Sequence, residues 1–95
     1  MVIPSSVQVG KFEYKVVRVD ALPKANGKVV AGHTDYEKKT IQYVDEGPEE
    51  TRNTFWHELT HAILYEMGKP ELNHEGFVSK FADFWSTAID SAKFE

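Results

Sequence analysis

The chain contains no cysteine. That excludes disulfides and thiolate metal ligands, and leaves His, Asp and Glu as the donors for any metal site. It has no apolar run approaching the roughly 18 residues of a membrane span. The opening stretch from Met1 to Ser6 lacks the basic start and apolar core of a signal peptide. A cytoplasmic protein with no membrane contact is expected. Positive charge is also in short supply: 11 Lys and Arg stand against 15 Asp and Glu, a net charge of -4. That balance argues against broad nucleic-acid binding, and the short pair Lys38-Lys39 reads as a solvated turn. Internal repeats, phosphate-cradling glycine motifs and low-complexity stretches are missing too. What remains suffices for one core. A chain of 95 residues with 41% hydrophobic and 13% aromatic content reads as a single domain over residues 1–95, with a small margin of stability.

One segment, His57-Glu58-Leu59-Thr60-His61, carries recognisable chemistry. Two histidines four residues apart on a helix point to the same side and can grip one metal ion, while the glutamate between them can reach a water bound to that ion. This is the zincin arrangement. It works only on a rigid helix, and the flanks supply one. Gly47-Pro48-Glu49-Glu50 reads as a start, with Pro48 at the first helical position and two acids near the positive end of the dipole. Gly68, followed by Pro70, reads as the stop. Between them lie about 20 helical residues, roughly 30 Å. At about 100° per residue, Trp56, Leu59, Ile63, Leu64 and Met67 share one arc, with His57 and His61 just beyond its edge. Phe55, Ala62 and Tyr65 fill much of the rest, so this helix is expected to be central and buried. A buried helix whose histidines merely satisfy hydrogen bonds is the plainer explanation. A lone histidine would favour it; two at ligand spacing with an acid in place favour a metal site at the border of core and cleft.

A catalytic zinc site commonly takes three protein ligands and leaves the fourth position open. Downstream, Val78, Phe81, Ala82, Trp85 and Ile89 recur at helical spacing, and Asn73 reads as the N-cap of that second helix. His74 and Glu75 then fall in its first turn. Spacing alone does not separate them as third ligand, since neighbours on a helix point about 100° apart. Each also has an ordinary explanation: a glutamate there serves the dipole, and a histidine beside it is simply solvated.

The run from His57 to Leu64, followed by Glu75-Gly76-Phe77-Val78-Ser79-Lys80-Phe81-Ala82, resembles the ImmA/IrrE-type metallopeptidases, small zincins common in phages and prophages. In that family a helix bearing HExxH is succeeded by one reading roughly Glu-x-x-Ala-Asn-x-Phe-Ala, whose glutamate is the third zinc ligand. Glu75, Phe81 and Ala82 stand at the matching offsets, so the resemblance favours Glu75 over His74. Val78 and Ser79 replace the usual Ala-Asn, and Thr60 replaces the commoner glycine. The resemblance covers about a third of the chain, from Thr54 to Trp85. It implies a zinc peptidase whose characterised relatives act on a transcriptional repressor.

The first half reads as strands. Residues from Lys11 to Val19 alternate apolar and polar until Val16-Val17, where a bulge is expected. Asn26-Gly27 marks a hairpin or turned loop before the strand from Val29 to Thr34. A polar reversal over Asp35 to Lys39 leads into Thr40-Ile41-Gln42-Tyr43-Val44. The expected fold is α+β: a three-stranded antiparallel sheet, with an optional extra strand at Val7-Gln8-Val9, followed by two helices on one face, a minimal zincin-like domain. In such a fold an edge strand can bind an extended peptide by main-chain pairing.

With zinc on His57, His61 and Glu75, Glu58 would act as general base on water and then pass the proton to the leaving nitrogen. His33 and Tyr36 are candidates for a second donor to the developing oxyanion. Tyr65 and the aromatics Phe77, Phe81, Phe84 and Trp85 are explained as well by packing as by a pocket. The leading expectation is a zinc metallopeptidase acting on a protein or peptide, such as a repressor. Two alternatives are a non-catalytic zincin-fold module that captures a repressor, which would have no need of Glu58, and a closed structural zinc site using both His74 and Glu75. Oligomeric state is not encoded in any recognisable pattern.

Overall fold

Alternation sets the longest strand: Tyr14 and Val16 turn inward and are buried, while Glu13, Lys15 and Val17 face solvent. The computed structural model describes residues 2–94. Its elements run β1 (Ser6–Val9), β2 (Phe12–Val19), β3 (Gly32–Asp35), β4 (Thr40–Val44), α1 (Pro48–Glu66) and α2 (Glu75–Ser91). The fold is α+β, a four-stranded mixed sheet followed by two helices. The strand order is β1-β2-β4-β3.

This corrects the expected succession of antiparallel strands in three respects. The optional strand is a full member, paired with β2 from Ser6↔Lys15 to Val9↔Phe12. β2 and β4 are parallel, in register from Lys15↔Thr40 to Val19↔Val44, so β3 sits at the edge, antiparallel to β4. The register is unbroken through Val16 and Val17, leaving no bulge there. The reason for the parallel pairing lies in the connection. Asn26-Gly27 does form a two-residue turn, with positive φ at both positions, but only Ala25 and Lys28 close on it, exchanging bonds of 3.1 and 2.9 Å. That miniature hairpin does not zip β2 to β3. The chain beyond it is long enough to swing past β2's free side, and β4 then fills the place beside β2.

Helix α1 begins and ends where glycine permits. Gly47 precedes Pro48 with φ 99°, and Glu49 and Glu50 occupy the first turn. At the far end Gly68, with φ 71°, donates to the Tyr65 carbonyl, and Lys69 donates to that of Leu64, both at 3.0 Å. That pair of bonds is a Schellman stop. α1 lies over β1, β3 and β4, and α2 packs on α1. Tyr14 and Ile41 from the sheet meet Phe55, Trp56, Leu59 and Ala62 from α1 in the core. The expectation of an all-round buried helix holds along most of α1, but Tyr65 and Met67 at its end are exposed. α2 contributes Val78, Ala82 and Ser86, and sets Trp85 edge-on to Trp56 with ring centroids 4.7 Å apart.

Beneath the end of α1, Glu66 Oε2 accepts 2.6 Å bonds from both Lys39 Nζ and the Tyr14 hydroxyl. The Lys39 and Tyr14 hydrogen bonds hold the Glu66 carboxyl below its ordinary value of 4.5. Because the folded value is the lower one, this contribution is complete above about pH 4.5 and is lost as pH falls through the folded value. Glu66→Gln should lower the melting temperature by a few degrees at pH 7. Thermal unfolding followed from pH 7 to pH 3 should show the gap to wild type closing in acid.

Candidate metal centre

Four residues on one helix make a little more than a turn, so His57 and His61 stand one above the other on α1. Their ring centroids lie 5.0 Å apart. The first residue of α2 faces them. Glu75 Oε2 is 3.0 Å from His57 Nε2, and Oε1 is 2.7 Å from His61 Nε2. Ligand atoms of all three residues fall within 4.8 Å of one another, and they could hold a metal ion. The donor set fits one: two imidazole nitrogens and a carboxylate give three protein ligands, with no fourth in the cluster among the described residues. The histidine side chains are 23% and 13% exposed against 73% for Glu75, so the site is backed by core and open on the glutamate side.

His74, the rival for third ligand, lies outside the cluster. Its Nδ1 caps α2, accepting from the Phe77 N–H at 3.4 Å. This reassigns Asn73, which is not the N-cap. Its side chain turns back across the interhelical link to α1, with Oδ1 2.6 Å from His61 Nδ1 and Nδ2 3.4 Å from the His61 carbonyl oxygen. The same Nδ2 donates to the Tyr36 hydroxyl at 3.1 Å.

Glu58 is buried beside the cluster. Its Oε1 accepts a 2.8 Å bond from the Thr34 hydroxyl, which also lies 3.0 Å from the Glu58 carbonyl oxygen. β3 can come this close because of Gly32. A Cβ there would stand 2.6 Å from Thr54 Cγ2 and 2.9 Å from Glu58 Cγ, so even alanine would force strand and helix apart. Thr60, where the resemblance calls for glycine, is accommodated in the core by a 2.8 Å bond from its hydroxyl to the Trp56 carbonyl.

Glu58, the two histidines, Glu75 and Tyr36 share a cleft of about 910 Å³ between α1 and the chain from Ala25 to Thr34. Burial, opposed by the Asn73 bond and helped by the charges of Glu58 and Glu75, raises the Tyr36 phenol above its ordinary value. Tyr36 therefore stays a proton donor through neutral pH. Tyr65 stacks on its ring at 4.2 Å and 8°, which gives Tyr65 a supporting part. His33 is exposed and also borders the cleft, although alternation along β3 sets its side chain on the sheet face opposite Thr34. Phe77, Phe81, Phe84 and Trp85 do not line the cleft. No pattern in the sequence pointed to Thr34 or Gly32, because their roles arise from the approach of an edge strand to a helix. Asn73 had a sequence signal, its place in the short link beside Glu75, but local helix chemistry explained it equally well.

Comparison with protein-family models, with characterised proteins and with solved structures gives no match to this chain. Among the described residues, no helix is long and apolar enough to cross a membrane.

Proposed function

We propose that the protein is a zinc-dependent metallopeptidase of the small zincin kind, with His57, His61 and Glu75 as metal ligands and Glu58 as general base. One observation carries this reading: imidazole nitrogens and carboxylate oxygens converge within 4.8 Å on a cleft that also holds a buried glutamate from the same helix. Zinc, when bound, supplies a Lewis acid that makes water a nucleophile at neutral pH and polarises a carbonyl. Glu58 takes the proton as water attacks the peptide carbon, and returns it to the departing nitrogen. Thr34 holds that carboxylate from the β3 side. The Tyr36 hydroxyl is suited to donate to the carbonyl oxygen as charge develops on it.

Substrate binding follows from the place of β3. It is an edge strand bordering the cleft. The Val44 N–H donates to the Ala31 oxygen at 2.8 Å. By antiparallel alternation, the main-chain groups of His33 and Asp35 also turn toward β4, and those of Gly32 and Thr34 face outward. An extended peptide pairing there would lie across Glu58. A repressor protein, the substrate class the resemblance implies, is the first natural candidate. As a general test, zinc-loaded protein incubated with an unfolded protein such as casein should generate new amino termini. Chelation should stop the cleavage and added zinc should restore it. Intact substrate at full zinc occupancy would contradict the proposal.

A further inference from the structure

Asn73 touches both a proposed ligand and the hydroxyl at the cleft. Its orientation is fixed by chemistry: the His61 carbonyl can only accept, so the amide nitrogen faces it and the amide oxygen faces His61 Nδ1. An acceptor at 2.6 Å from Nδ1 calls for a proton on that nitrogen. Nε2, which lies 2.7 Å from Glu75 Oε1, is then the nitrogen left to a metal. On its other side the Asn73 amide is purely a donor, and Tyr36 oxygen receives it at 3.1 Å. The Tyr36 proton therefore points elsewhere than Asn73.

We infer that Asn73 is a double positioning residue: its oxygen selects the metal-binding tautomer of His61, and its N–H leaves the Tyr36 proton free to point into the cleft. This rests on the metallopeptidase reading and adds to it the device that couples ligand and oxyanion donor. Asparagine is required in a way aspartate cannot meet. A carboxylate at 73 would still accept from His61 Nδ1, but it offers no donor, so the Tyr36 hydroxyl would turn and give its proton to it. The two tasks are thus separable by a substitution that keeps the shape of the side chain.

Three readouts on the full chain test this. Zinc affinity, by chelator competition with the metal alone, should fall about 10–100-fold in Asn73→Ala and stay at least at the wild-type level in Asn73→Asp and Tyr36→Phe. Binding of a peptide phosphonate, a tetrahedral anion, to the zinc-loaded protein should weaken about 100-fold in both Asn73→Asp and Tyr36→Phe, and no further in the double variant. Imidazole nitrogen spectra of the zinc-loaded protein should show His61 protonated and hydrogen-bonded at Nδ1, with that proton exchanging freely with solvent in Asn73→Ala. An unchanged His61 spectrum or unchanged zinc affinity in Asn73→Ala would overturn the inference while leaving the metal site standing. Wild-type phosphonate binding by Asn73→Asp would do the same. A wild type that takes up no zinc would overturn both.

Discussion

Glu58→Gln is expected to slow peptide hydrolysis by about 10²–10⁴-fold at unchanged zinc content. The size of the effect comes from what the amide cannot do. Glutamine matches glutamate in shape and keeps an oxygen for the Thr34 hydroxyl, which lies 2.8 Å from Glu58 Oε1. It does not accept a proton from water near neutral pH. Burial sharpens the contrast: Glu58 is 9% exposed, so solvent or buffer has little access to replace it as base. Cleavage rates of zinc-loaded wild type and variant, compared at equal metal occupancy, measure this directly. A variant that cleaves at the wild-type rate would remove Glu58 from its role.

Removal of the Glu75 carboxylate is expected to weaken zinc binding by more than the 10–100-fold that loss of an outer-shell partner causes. Glu75→Ala leaves two histidines on α1 and no third donor in the cluster. His74→Ala makes the matched control. That ring accepts a single 3.4 Å bond from the Phe77 N–H, so its loss should affect the start of α2 by about 0.5–2 kcal/mol and leave zinc affinity intact. Chelator competition on the two variants, with thermal unfolding alongside, separates ligand from cap. Zinc loss in His74→Ala with retention in Glu75→Ala would transfer the third-ligand role to His74.

Much of this arrangement is written locally. α1 was legible because both its ends are set by residues with special backbone behaviour, Gly47-Pro48 and Gly68, and because HExxH carries its own spacing. The Asn26-Gly27 turn was legible for the same reason, since the required positive φ is inexpensive at those two residue types. The place of β3 was not. Alternation says which side chains of a strand face inward but not which strand lies beside it, and β2 pairing with β4 depends on a connection that could have led either way. Its consequence is functional, because the same topology puts Gly32 and Thr34 against Glu58. Asn73 departs from its expected place as N-cap for a related reason: asparagine before a helix is usually a cap, and only the packing of α2 on α1 shows its amide spent on His61 and Tyr36. His74, the rival third ligand in the sequence, is the cap instead. Both oxyanion candidates border the cleft, but the Tyr36 hydroxyl is held by Asn73 beside His61, whereas alternation along β3 sets the His33 side chain on the sheet face opposite Thr34.

The central claim is that His57, His61 and Glu75 form a zinc site, and elemental analysis of the purified protein tests it most directly. Wild type, after exposure to zinc and removal of excess, should carry about one zinc per chain, with His57→Ala and His61→Ala both falling far below that while remaining folded. Zinc absent from the wild type, or retained at full stoichiometry in both variants, would contradict the account.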